Sequence, residues 1–340
     1  MSGVSSTSGP GRATLHLAEH THTYGLSLSG LAVRGSTMLL APDEGAALVA
    51  LTLHGEGEWG DPVELPLAEL VDLPGDTDDE VDVEGIDVAG SWVWVTGSHS
   101  AKRKKVKAGT PPEEVGARLA RVSGEKPRRL LARLPLGADG RPGPGGLRLP
   151  SGRRGLFGAL ADDGHLAPFL GIPGKDNGFD VEGVVAVSDD RVLLGLRGPV
   201  LRGWAVVLEL TVGESGGERD GELELRGVRK HFLDLGGLGV RDLVRDGDDL
   251  LILAGPTMVL SRPARVLRIR GGAHGLPDAV ARQDVETVVE LETGEGEDHP
   301  EAIAVLGPGS LLVLHDSPAA WRLGEHTVVG DVLDDLDVGR

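Results

Sequence analysis

Leu28-Ser-Gly-Leu-Ala-Val33, Val83-Glu-Gly-Ile-Asp-Val88, Val181-Glu-Gly-Val-Val-Ala186, Val240-Arg-Asp-Leu-Val244 and Pro300-Glu-Ala-Ile-Ala-Val305 are five copies of one short pattern. Each runs through a polar Gly/Asp/Ser turn into an apolar stretch: Met38–Leu40, Trp92–Val95, Val192–Leu194, Leu250–Leu253 and Leu311–Leu314. These second segments are apolar at every position instead of alternately. A strand covered by protein on both faces reads that way, whereas a sandwich strand keeps a polar alternation on its outer face. Equivalent positions Gly30, Gly85, Gly183, Asp242 and Ala302 lie 55, 98, 59 and 60 residues apart. A period of this length, built from short strands and Gly/Asp turns, predicts an all-β propeller with four-stranded blades.

Five blades are expected, or six if the wide second gap hides another. In the second blade the pattern assigns Ala117–Val122 as third strand and Arg128–Leu134 as fourth. In the last blade it assigns Ala319–Leu323 and Thr327–Leu333. Ala13–Glu19 is a further strand candidate that can close the ring, but the last blade already owns four strands without it. The expected organisation is a disordered tail over residues 1–12 and one propeller domain over 13–340. A Gly/Pro/Arg-rich, lid-like insertion is expected at about 135–176.

Composition narrows the function. The net charge of −19 argues against non-specific nucleic-acid binding by the surface as a whole. The absence of cysteine removes disulfides and thiolate metal sites and fits a reducing compartment. No apolar stretch is long enough to span a membrane, and the Ser/Gly-rich start carries no secretory signal. The expectation is a cytoplasmic protein with no nucleic-acid or membrane partner; a protein partner stays open.

Strand direction turns the repeat into a map. In an antiparallel blade the start of the first strand and the end of the second lie at one end. Glu84 is therefore expected near His99, Glu182 near Arg197, and Glu301 near His315 and Asp316. Ser29 is expected near Asp43 and Glu44, and Asp242 near Gly255 and Pro256. First strands line the axis, so these groups ring one axial mouth. Three roles fit the acids there. Glu84, Glu182, Asp242 and Glu301 can pin neighbouring blades by accepting backbone N–H bonds. They can ligate a hard cation such as calcium or magnesium. Glu182 or His99 can act as a general base. Arg197, Arg202 and Arg241, with His99, Lys102 and Arg103, are candidates for holding a small anionic ligand. The run Lys102-Arg-Lys-Lys105 with Lys107 is either a solvated loop or an attractor for a polyanion. His20 and His22 share a strand face but make a weak ligand pair, and Asp76–Asp82 lacks the glycine and terminal glutamate of a calcium loop.

Gly178-Phe-Asp-Val-Glu-Gly183 with Gly195-Leu-Arg-Gly-Pro-Val-Leu-Arg-Gly-Trp-Ala205, and Thr96-Gly-Ser-His-Ser100 with the basic run after it, resemble an uncharacterised bacterial family classed as a domain of unknown function. That resemblance covers nearly the whole chain beyond its tail and implies a propeller-like domain without an established activity. The Ser-Gly-Leu and Glu-Gly-Ile starts, with Asp43-Glu44 closing a second strand, are similar over a shorter span to the esterase-like phytase propellers. That likeness implies metal-dependent phosphoester hydrolysis. The chain departs from it where His99 and Arg197 stand in place of acidic strand ends. The leading expectation is a propeller binding a small anionic ligand or a divalent cation at its mouth. A phosphoester hydrolase and a protein-interaction scaffold are the alternatives.

Overall fold

The computed structural model describes residues 11–18, 27–42, 45–75, 80–216, 221–258, 263–294 and 297–336. Asp43, Glu44, His20, His22 and the core of the 76–82 acidic run lie outside them, as do residues 1–10 of the expected tail. Gly11 and Arg12, also assigned to that tail, are instead the first residues of strand β1 (Gly11–His16).

The chain is a β-propeller. Its first four-stranded unit is β2 (Leu28–Arg34), β3 (Thr37–Pro42), β4 (Ala47–Gly55) and β5 (Glu58–Pro66). The second begins with β6 (Val83–Ala89) and β7 (Trp92–Gly97). It then leaves for a small hairpin of β8 (Lys102–Arg103) and β9 (Val122–Ser123), and returns as β10 (Leu131–Pro135) and β11 (Leu147–Arg148). The third is β12 (Asp180–Ser188), β13 (Arg191–Gly198), β14 (Trp204–Glu214) and β15 (Leu223–Asp234). The fourth is β16 (Gly239–Asp246), β17 (Asp249–Gly255), β18 (Ala264–Ile269) and, after the two-residue β19 (Ala279–Val280) that edges β15, β20 (Glu286–Leu291). The last contains β21 (His299–Gly307), β22 (Ser310–Asp316) and β23 (Thr327–Leu333). The inner strands β2, β6, β12, β16 and β21 pack each against the next and the last against the first, which closes the ring.

The second strands are apolar throughout because both faces meet neighbouring sheets. All of Thr37–Pro42 is buried, and Trp94 sits in one cluster with Leu194 and Val206 of the following unit. Hairpins between first and second strands turn on Gly35, Gly90, Gly247 and Gly309, each at positive φ, where a Cβ would strain the backbone.

Four strand expectations change. Ala117–Val122 is not a strand: Pro112–Leu119 is a helix, with proline at its start, Glu113 and Glu114 in the first turn and Arg118 in the last. That order suits the helix dipole. Arg128–Leu134 supplies the third strand, β10, not the fourth. Ala320–Arg322 is a single 3-10 turn, and Thr327–Leu333 is the third strand of the last unit. Its fourth strand is β1, antiparallel to β23 from Gly11 opposite Val332 to His16 opposite Thr327. The N-terminus thus completes the unit that the C-terminus leaves open, burying Ala13, Leu15 and Leu17 completely.

The segment expected as a lid is no single body. Leu147–Arg148 edges the second unit, and Leu156, Leu160 and Leu166 are buried in the core shared by the second and third units. Among the described residues, no helix is long and apolar enough to cross a membrane.

Candidate functional site on the propeller axis

Each inner strand carries a β-bulge at the same place. Leu28 faces Pro42 while Gly30 faces Ala41, leaving Ser29 without a partner. The same skip isolates Glu84 between Val83 and Gly85, Glu182 between Val181 and Gly183, Arg241 between Val240 and Asp242, and Glu301 between Pro300 and Ala302. A bulged residue bends its strand and re-aims its side chain. Here four of the five converge: one carboxylate oxygen from each of Glu84, Glu182 and Glu301 lies within 4.8 Å of the others, and Arg241 reaches both Glu182 and Glu301.

The residue after the bulge explains how closely the strands approach. A Cβ on Gly85 would lie 3.0 Å from the Val184 nitrogen, and one on Gly183 would lie 2.9 Å from the Leu243 nitrogen. Only glycine leaves room there for the next inner strand. Carboxylates pin the joints: the Ala186 N–H donates to Asp87 at 2.8 Å, and the N–H groups of Leu243 and Ile303 donate to Asp242 at 2.8 and 2.9 Å. Asp242, expected among the metal ligands, occupies the glycine position instead of the bulge, and both its oxygens are committed to backbone.

The axial acids are partnered unequally. Arg197 pairs with Asp180 at 2.7 Å and with Glu182. Arg241 bonds both oxygens of Glu301, one at 2.6 Å, approaches Glu182 at 3.4 Å, and donates to the Pro256 carbonyl at 3.3 Å. Arg128 pairs with Asp82 and donates to Ser100 Oγ at 2.9 Å. No hydrogen bond or ion pair to the Glu84 carboxylate occurs among the described residues. Burial, then Asp82, Glu182, Asp180 and Glu301, all acids, push its pKa well above the carboxylate range. Burial pushes Glu182 up to about 8 against the pull of Arg197 and Arg241, and Asp82 up to about 7 against Arg128. Burial lowers Arg197, but Glu182 and Asp180 outweigh it and hold the guanidinium firmly charged.

The remaining expected residues fall elsewhere. His99 is buried at positive φ, with Nε2 on the Leu130 carbonyl at 3.1 Å and its ring stacked on Phe157. Burial lowers its pKa to about 4, and the charge it feels is Arg129 and not the axial acids. His315 belongs to a separate cluster with Asp331 and Arg322. Lys102 is held by Glu80 at 2.6 Å and Arg103 by Asp176 at 2.6 Å. Arg202 stands exposed on a tight turn at positive φ. Arg197 and Arg202 therefore form no joint grip on an anion, because Arg197 is consumed by Asp180 and Glu182. Asp82 and Asp180 were missed as members of the axial cluster. Their signal is the identical tetrad Asp82-Val-Glu-Gly85 and Asp180-Val-Glu-Gly183. Arg128 carries no such signal, since it arrives from the excursion between β7 and β10.

A family model described as "Protein of unknown function (DUF3616)" matches residues 27–331. No curated protein matches the chain. Solved structures similar to it include the PQQ-bound aldose sugar dehydrogenase of Streptomyces coelicolor, at 14% identity and TM-score 0.37 over 96% of this chain and 99% of that one. The glutaminyl cyclase of Myxococcus xanthus is 12% identical with TM-score 0.41 over 95% and 98%. The β-propeller domain of Cps50 (Swd1) from Myceliophthora thermophila is 11% identical with TM-score 0.33 over 90% and 83%. At these values the likenesses carry no argument about activity.

Proposed function

We propose that this chain, which belongs to the DUF3616 family, holds a divalent cation on its propeller axis between Glu84, Glu182 and Glu301. Charge balance carries the reading. Glu80, Asp82, Glu84, Asp180, Glu182 and Glu301 are six carboxylates linked through shared partners or repulsion, and Lys102, Arg128, Arg197 and Arg241 are the four cations paired with them. The surplus equals the charge of one divalent ion. Buried like charges are otherwise relieved only by taking up protons.

The donors are all oxygen, which suits a hard cation. Three protein carboxylates with oxygens within 4.8 Å of one another suit calcium, which draws its shell largely from protein oxygens, better than magnesium, which usually keeps several waters and takes one or two carboxylates. A small anion is less well served, because Arg197 and Arg241 are already engaged by carboxylates. Catalysis by His99 is not part of the reading, since its Nε2 is bonded to Leu130.

The test is calorimetric titration of chelator-treated protein with calcium, magnesium and manganese, alongside melting curves. Calcium is expected to bind and raise the melting temperature, adding about 2.7 kcal/mol at a free concentration a hundredfold above Kd. Glu84→Gln removes the carboxylate that has no cationic partner. It is expected to abolish the calcium response while melting no lower than the wild type in chelator. A wild-type protein indifferent to all three ions overturns the proposal.

A further inference from the structure

The excursion between β7 and β10 differs from the rest of the molecule in charge. Residues 101–130 hold ten Lys/Arg against three Asp/Glu, a net of +7 inside a chain of −19, leaving −26 on everything else. Its two ends are anchored at the axial mouth through Lys102 to Glu80, Arg103 to Asp176 and Arg128 to Asp82. Between the anchors the side chains of Lys104, Lys105, Lys107 and Arg121 are exposed, and none makes an ion pair or hydrogen bond among the described residues. Solvation alone accounts for cations on a surface. It does not account for the rest of the segment.

Its helix, Pro112–Leu119, buries no residue at all. A helix of two turns is marginal in water without tertiary packing, and the hairpin β8–β9 pairs only with itself. Two of the five large apolar side chains exposed among the described residues, Leu119 at 43% and Val122 at 45%, lie three positions apart at the helix exit. Arg121 stands between them. The segment thus carries two exposed apolar side chains among exposed cations.

We infer that residues 104–122 form a docking arm for an acidic protein segment, an amphipathic stretch whose apolar side covers Leu119 and Val122 and whose carboxylates meet Lys104, Lys105, Lys107 and Arg121. Charge complementarity sets the sign of the partner. The apolar pair decides its class, because a phosphate backbone is gripped by cations alone and gains nothing from exposed leucine and valine. The anchors confine the arm to the axial mouth, so an occupant would sit across the opening. The inference does not depend on a cation at the axis.

The test uses the full chain and a fluorescein-labelled amphipathic peptide of leucine and glutamate, read by anisotropy at low and high salt. The wild type is expected to bind, with affinity falling as salt rises. The triple variant K104E/K105E/K107E is expected to bind about tenfold or more weakly. Leu119→Ser with Val122→Ser is expected to weaken binding at both salt concentrations. Both variants should keep the wild-type melting temperature, since none of these side chains is in the core. Absence of peptide binding by the wild type overturns the inference. So does equal affinity for a single-stranded oligonucleotide together with no effect of the serine substitutions, an outcome that would mark a phosphate-binding loop.

Discussion

At the residue scale, His99 shows how burial sets a side chain's response to acid. The Leu130 carbonyl accepts from its Nε2, and its Nδ1 is buried without a partner. Taking up a proton at Nδ1 would place a charge beside Arg129, so burial first and Arg129 second hold the pKa near 4. The unfolded chain, with an ordinary imidazole near 6.5, binds that proton more readily. Stability supplied by His99 is therefore present above about pH 6.5 and is lost as pH falls toward 4. Between pH 7 and pH 5 the loss amounts to about 2 kcal/mol. Asn tolerates positive φ, so His99→Asn is expected to flatten the urea-unfolding free energy by about that amount over this window. His315, also lowered to about 4, leaves a residual slope of the same sign. Asp82 and Glu182 act in the opposite sense: their raised values make the cation-free protein lose stability as pH rises through about 7 to 8. Equal pH profiles for His99→Asn and wild type would refute the assignment.

At the element scale, the axial position was legible because a bulge recurs at one point of a repeated strand. Ser29, Glu84, Glu182, Arg241 and Glu301 are equivalent in sequence, and the register skips the same residue in all five strands. Equivalence also exposes the asymmetry: a serine, three acids and one arginine. What the pattern hid has physical reasons. Pro112–Leu119 and β9 together contain enough apolar residues to pass for a strand, and only the proline start and charge order betray the helix. Arg128 joins the axis through pairing that no periodicity encodes. The closing role of β1 was ambiguous because Thr327–Leu333 looks equally well like a third or fourth strand, and the choice is settled by a partner more than 300 residues away. That partner contributes to the core. Leu15 is fully buried with Leu312, Leu314 and Val328, so Leu15→Ala is expected to cost about 2–5 kcal/mol in denaturant unfolding. A loss below about 1 kcal/mol, the scale of surface substitutions, would mean that β1 merely lies along the last unit.

At the scale of the whole molecule, the pairing of Gly11 with Val332 fixes an order of events in time. β1 cannot find its antiparallel neighbour until β23 has been made, an interval of roughly 15–65 s for the stretch from Gly11 to Val332 at typical synthesis rates. β1 meets one neighbour earlier, through the short parallel pairing of Thr14 and Leu15 with Glu58 and Trp59 of β5, but its full antiparallel ladder waits for β23, and contacts of such long sequence separation slow folding even for a completed chain. Rewiring removes the delay. A circular permutant that joins the end of β23 to Gly11 by a short linker, with new ends between Ala18 and Leu28, turns the closure into a local hairpin. It is expected to refold faster than the natural chain order and to reach the same melting temperature. Unchanged refolding would place the slow step elsewhere in the ring. The natural order makes the joint between β1 and β23 a checkpoint, since a chain cut short before Thr327 lacks the strand that β1 pairs with antiparallel.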